Sequence, residues 1–268
     1  MKTELEVVLE AVHRAGTRVL QLAEQGFETH RKADHSPVTS ADLAANDILR
    51  ETLMNRFPND GWMSEESPDT PERLNTSRVW IIDPIDGTSY FIKGVPQYSI
   101  SVALVEDHQP ILGVVYNPAT EELFSAEKGK GLYLNGQPVK VDQVANEPLT
   151  ILVNPSRLDR HEFTIFKDHV TLQPMGSIAY SLALVAAGHA DGTINFDLLH
   201  EWDIAAGWLL VHEGKGMATD STGNPLRFNQ PDPISRGILA ARSGAGEPFD
   251  ALVARRLKNQ PESPPTRK

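Results

Sequence analysis

The sequence predicts a mixed α/β protein made of two αβ parts, and three observations predict it. An apolar pattern of helical period opens the chain and is closed by a glycine. Strand signals with turn residues between them dominate residues 79–142. From about residue 150 strand and helix patterns alternate again, with no fixed-period repeat.

The elements follow in order. Leu5, Val8, Leu9, Val12, Ala15, Val19 and Leu22 recur at helical spacing and Gly26 ends the pattern, which predicts an amphipathic helix over residues 4–25. His30–Pro37 is polar and reads as a loop. Thr39 or Ser40 can cap a second helix over about 41–56, with Asp42 in its first turn and Pro58 beyond its end. Val79-Trp80-Ile81-Ile82 reads as a buried strand, followed by strands at Tyr98–Val105, Ile111–Tyr116 and Glu122–Ser125. Asn135-Gly136 joins Leu132–Leu134 to Val139–Val141 as a tight hairpin. A short strand at Ile151–Val153, a buried helix over Ser177–Ala187, a strand at Thr193–Phe196 and a helix over Asp203–His212 complete the pattern. Periodicity lapses at Ala145–Pro148, so the expected division is 1–148 and 149–257. Residues 258–268, rich in Pro, Lys and Ser, read as a disordered tail.

A chain of 268 residues, 40% hydrophobic and 23% charged, is ample for a full core. Its net charge of −11 argues against duplex nucleic acid or an anionic membrane as partner. A small anionic substrate remains open, because a bound metal overrules the global sign locally. With no cysteine, there is no disulfide, thiolate–metal site or thiol nucleophile. Met1–Glu6 lacks a signal-peptide core and no apolar run spans a bilayer, so the expected location is the cytoplasm. The 9 histidines form no metal-binding pattern.

Function concentrates in Asp83-Pro84-Ile85-Asp86-Gly87-Thr88. An apolar strand delivers two carboxylates and then a Gly-Thr turn. Carboxylates collect a hard divalent cation, and N–H groups at a turn or helix start collect a phosphate. Side by side, the two features point to metal-assisted hydrolysis of a phosphate ester. Turn chemistry explains Asp86-Gly87 but not an acid at the end of an apolar strand, where an uncompensated charge is costly. Glu65, Asp42 and Asp203 are further candidates. Taken singly, Asp42 and Asp203 are ordinary acids at helix starts, and Glu65-Glu66 is an ordinary solvated pair.

Trp80-Ile81-Ile82 with the Asp83–Thr88 segment resembles the signature of the inositol monophosphatase family, the Mg²⁺-dependent, lithium-sensitive sugar and nucleotide phosphatases. Four further segments agree, in the family's order: Lys32–Asp42; Ser64-Glu65-Glu66; Gly113–Tyr116 with Lys128–Gly131; and Trp202–Gly207. The resemblance runs from about residue 5 to about 243. It implies a five-layered αβαβα fold with the site between the two αβ halves. It further implies that Glu65, Asp83 and the carbonyl of Ile85 hold one Mg²⁺, that Asp83, Asp86 and Asp203 hold another, and that a third ion or Mn²⁺ fits the same chemistry. Gly87 and Thr88 would bind the phosphate. Thr88, oriented by Asp42, would work with Glu65 to position and deprotonate the attacking water. Family members are often dimers, so the resemblance admits a homodimer.

The substrate is read as a small phosphorylated metabolite. The Lys32–Thr39 segment and Phe91-Ile92-Lys93 look closest to bacterial 3'(2'),5'-bisphosphate nucleotidases, which release a phosphate from 3'-phosphoadenosine 5'-phosphate. Lys93, Asp197 and His200 are the expected substrate-selecting residues. Inositol 1-phosphate, histidinol phosphate and fructose 1,6-bisphosphate are alternative substrates. A phosphate-binding regulator without turnover is the alternative of another class.

Overall fold

A computed structural model describes residues 2–141, 144, 147–158, 170–246, 249, 250 and 252. Helix α1 (Glu4–Gln25) starts at Thr3, whose hydroxyl accepts from the N–H of Glu6 while the Glu6 carboxylate accepts from the N–H of Thr3. β1 (Thr29–Arg31) pairs antiparallel with β2 (Pro37–Thr39), so the loop expected at 30–37 is instead a short hairpin with its turn at 32–36. Helix α2 (Ser40–Arg56) follows with Thr39 as its cap.

The first sheet has the order β3 (Gly61–Ser64), β4 (Arg78–Asp86), β5 (Ser99–Glu106), β6 (Gln109–Asn117), β7 (Glu122–Glu127), β8 (Leu132–Leu134) and β9 (Gln137–Pro138). β3 and β4 are parallel and the other neighbours antiparallel. Helix α3 (Thr88–Ile92) is a short turn directly after β4. The hairpin at Asn135-Gly136 forms as expected, with Asn135 at φ 50° and Gly136 at φ 74°. Its return strand is Gln137–Pro138 rather than Val139–Val141, because a two-residue turn makes pairing resume at once.

The second sheet has the order β11 (Val170–Pro174), β10 (Leu149–Val153), β12 (Gly192–His200), β14 (Ile234–Ala241) and β13 (Met217–Thr219). Helices α4 (Ile178–Ala186) and α5 (Glu201–Glu213) flank β12 in sequence. The tail expected at 258–268 lies outside the described residues, as do Ala145 and Asn146 at the expected division.

Burial assigns the layers. On one face of the first sheet, Trp80, Ile82, Val102 and Val114 pack against Val8, Val12, Leu49 and Leu53 of α1 and α2. On the other, Ile81, Ala103, Val115 and Phe124 pack against Ala179 and Leu182 of α4 and Ile204 and Leu209 of α5. The same two helices meet Leu152, Leu199, Ile238 and Ala240 of the second sheet, whose far face carries Ile151, Ile194 and Leu239 against Phe249 and Leu252. The order is therefore αβαβα. β4 is covered on both faces, which is why its sequence runs apolar rather than alternating. α5 lies so close to β6 that a Cβ at Gly113 would stand 2.8 Å from the carbonyl oxygen of Ala206. At the start of α5 the carbonyl oxygen of Trp202 accepts the hydroxyl of Ser101 at 3.1 Å, and Ser101 pairs with Asp83 at the end of β4, where the acids lie.

Candidate active site

Pro84 has no N–H to give a ladder, and the register of β4 on β5 shifts between Asp83 and Asp86. The bulge takes both acids out of plain alternation. Gly87 then adopts φ 94°, a left-handed conformation that glycine supplies without strain. Space demands glycine there too, since a Cβ would sit 2.8 Å from the carbonyl oxygen of Gln97 and 3.4 Å from Cβ of Ser177.

Oxygen atoms of Asp83, Asp86 and Asp203 all lie within 4.8 Å of one another. Two come from the end of β4 and one from the first turn of α5, 117 positions beyond Asp86 in the chain. Asp83 accepts the N–H of Ile85 at 3.0 Å. Asp86 accepts the Ser177 hydroxyl and the Ala179 N–H, both at 2.6 Å. Asp203 accepts the N–H of His200 at 2.9 Å. Burial pushes the carboxyl pKa of Asp83 and Asp203 well up, and the neighbouring acids push further. Burial also raises Asp86, to about 6, despite its bonds to Ser177 and Ala179.

A second constellation touches the first. The Thr88 hydroxyl lies 3.0 Å from Oδ1 of Asp42 and 3.0 Å from the carbonyl oxygen of Ile85. The other oxygen of Asp42 accepts the N–H and hydroxyl of Thr39. Asp42 thus caps α2 with one oxygen and accepts the Thr88 hydroxyl with the other. Burial raises its pKa against those bonds.

Glu65 lies just past β3, with one oxygen 2.7 Å from the ammonium of Lys32, which also meets Glu66 at 2.5 Å. Burial works against the charge of Lys32, but Glu65 and Glu66 outweigh it and raise its pKa. Burial raises Glu66 to about 7, partly offset by Lys32.

Of the expected substrate-selecting residues, His200 gives its N–H to Asp203 of the cluster. Lys93 is exposed, its ammonium 5.2 Å above the ring centre of Tyr90. Asp197 is half-buried beside the irregularity of β12, its N–H held by Asn195. The ring of His200 stacks on Trp202 with centroids 4.3 Å apart.

Sequence reasoning passed over Ser177 and Lys32 as site residues. Ser177 carried a signal: a serine before an apolar run is an N-cap, and this cap donates to Asp86 as well as accepting from Tyr180. Lys32 stood inside a recognised segment, but its ion pairs depend on the hairpin, which the sequence reading took for a loop.

The donor set tests a metal directly. Every candidate ligand is a hard oxygen, and the clustered carboxylates repel one another in a buried place. That suits Mg²⁺, Ca²⁺ or Mn²⁺ and not a thiolate-seeking ion.

Comparison with known proteins agrees. The model of the inositol monophosphatase family matches residues 1–261. A histidinol-phosphatase of Chlorobaculum parvum is 34% identical over 260 residues, covering 94% of this chain and 97% of the relative. An inositol-1-monophosphatase of Rhizobium meliloti is 36% identical over 232 residues, covering 82% and 86%. The solved structure of the extragenic suppressor protein suhB from Bartonella henselae superposes with a TM-score of 0.82 at 30% identity, covering 95% of this chain and 98% of that one.

Proposed function

The chain belongs to the inositol monophosphatase family of phosphoric monoester hydrolases, and on that premise we propose that it hydrolyses a small phosphate ester with water, using Mg²⁺. The observation that carries this reading is the convergence of Asp83, Asp86 and Asp203 beside the Asp42–Thr88 hydrogen bond.

Asp83, Asp86 and Asp203 would hold one ion, and Asp83, Glu65 and the carbonyl of Ile85 another. When bound, such ions neutralise phosphoryl oxygens and acidify a coordinated water. The rest falls to the chain. The N–H groups of Gly87 and Thr88, opening α3, orient the phosphate. Asp42 holds the Thr88 hydroxyl as a donor, which leaves the oxygen's lone pairs to accept an O–H from the attacking water. Glu65 takes that water's proton, and Lys32 beside it balances the charge. Ser177 and the Ala179 N–H keep Asp86 aimed at the cluster.

For the substrate, single-phosphate esters of the kind named by the two relatives, inositol 1-phosphate and histidinol phosphate, are the first reading. The bisphosphate nucleotide is second, because Lys93, its expected partner for another phosphate, rests over Tyr90. Phosphate release from these three and from fructose 1,6-bisphosphate, with and without Mg²⁺, tests the proposal. Turnover of at least one ester that chelation abolishes is expected. Silence on all four would favour a phosphate-binding regulator, and preference for 3'-phosphoadenosine 5'-phosphate would restore the bisphosphate reading.

A further inference from the structure

Ser177 has one proton to give, and it gives it to Asp86. Its oxygen accepts the N–H of Tyr180 at 3.0 Å and lies 3.1 Å from the Ser99 hydroxyl, while it donates to Asp86 at 2.6 Å. With that proton on Asp86, Ser177 takes the proton of Ser99, and its bonding capacity is filled. The segment that carries Ser177 leaves β11 at Pro174, and the N–H of Met175 is held by the carbonyl oxygen of Val153 in β10. These are contacts within the second sheet, whereas Asp86 ends a strand of the first. Among the described residues no strand ladder joins the two sheets. Side chains must therefore set where the Ser177 segment meets Asp86.

Gln97, in the loop between α3 and β5, reaches that segment from the first sheet. Its Oε1 accepts the N–H of Gly176 at 3.1 Å and its Nε2 donates to the carbonyl oxygen of Pro174 at 3.3 Å. One side-chain amide thus meets a backbone donor and a backbone acceptor, as a peptide group of a paired strand would. The Tyr90 ring of α3 packs against Gly176 so closely that a Cβ there would collide with it. The backbone of Gln97 faces the other partner: its carbonyl oxygen lies 2.8 Å from where a Cβ of Gly87 would stand. Gln97 therefore touches both the residue after Asp86 and the residue before Ser177. We propose that Gln97 is a positioning residue for cation binding, which sets the Ser177 hydroxyl against Asp86 by holding Gly176, and that the Tyr90 ring restricts position 176 to glycine. This role rests on the cation-dependent reading above.

Calorimetric titration of Mn²⁺ into the metal-free full chain tests it, comparing the wild-type protein with Gln97→Leu, Ser177→Ala and the double variant, each checked for folding by circular dichroism. Ser177→Ala removes the donor to Asp86 and is expected to weaken Mn²⁺ binding about tenfold, the scale seen when a ligand's supporting contact is lost. Gln97→Leu keeps the bulk of the side chain without its two bonds, and a similar loss is expected. The double variant is expected to bind no worse than the weaker single, because both changes act through one hydroxyl. If Gln97→Leu fails to fold, Gly176→Ala takes its place in the same comparison, since its methyl displaces the segment by its clash with Tyr90. Binding by Gln97→Leu within about twofold of wild type, or losses that multiply in the double variant as a general loosening would make them, would overturn the role of Gln97. A loss in Gln97→Leu without one in Ser177→Ala would overturn it too. Wild-type protein that binds no Mn²⁺ would overturn the cation reading along with it; binding that Ser177→Ala weakens and Gln97→Leu does not would overturn the role of Gln97 alone.

Discussion

Strand β12 has a carboxylate near each end, one buried and one half-buried, and the two are treated in opposite ways. At its start, Asp191 meets the guanidinium of Arg242 at 2.8 and 2.9 Å and the N–H of Thr150 at 2.8 Å. Past its end, Asp203 faces Asp83 and Asp86, and its pKa is driven up by burial and by the charges of Asp86 and Glu65. The chain is therefore able to compensate a buried acid with an arginine and does so at one end. At the other it gathers three acids within reach of a single cation, the ion that the proposed reaction uses. On that proposal one end serves stability and the other binding.

The largest effect that would sharpen this contrast belongs to the paired end. Arg242→Met should cost about 3–5 kcal/mol in a denaturant titration, because it strands a buried charge. Whatever folds should keep its turnover, and a variant that kept full stability would erase the difference between the ends. Next comes the cluster. Asp86→Asn should slow phosphate release by about 10²–10³, the scale of losing one preorganised electrostatic contact. Its metal-free form should melt no lower than wild type, since a repelling charge is gone; a large fall in melting temperature would mean that Asp86 is structural after all.

Third, Mg²⁺ at about a hundred times its dissociation constant should stabilise the wild-type fold by about 2.7 kcal/mol, read as a rise in melting temperature. Asp86→Asn should lose most of that rise. The smallest effect is the pH dependence of the metal-free protein. The folded-state pKa of Asp86 is raised from 3.8 to about 6, so within that window the folded state holds more protons than the unfolded one. Stability should fall as pH rises through this window, and Asp86→Asn should flatten the slope. A slope of opposite sign would show that the cluster is already compensated within the chain.

Much of this was legible in the sequence, for identifiable reasons. α1, α2, α4 and α5 were visible because their periods and caps are local. β4 was visible as an apolar run, and the Asn135-Gly136 turn by its composition. β3 and β13 were passed over, since short strands draw their identity from partners distant in sequence, and β14 was passed over although its run Ile238-Leu239-Ala240-Ala241 is apolar. The site divides in the same way. Asp83, Asp86 and Thr88 share one segment and stood out together. Asp42 and Asp203 read singly as plain helix-start acids, and each does cap its helix; the resemblance alone implied their reach to Thr88 and to β4, and the fold shows the contacts. Ser177 and Lys32 act through contacts that no spacing encodes.

The most direct test of the central claim is the binding of Mn²⁺ to metal-free protein at pH 6, measured by calorimetry in two buffers of different ionisation enthalpy. Acids held partly protonated by burial and mutual repulsion must lose protons when a cation arrives. The account predicts binding coupled to proton release, with both weakened in Asp86→Asn. Binding without proton release, or binding that Asp86→Asn leaves untouched, would contradict it.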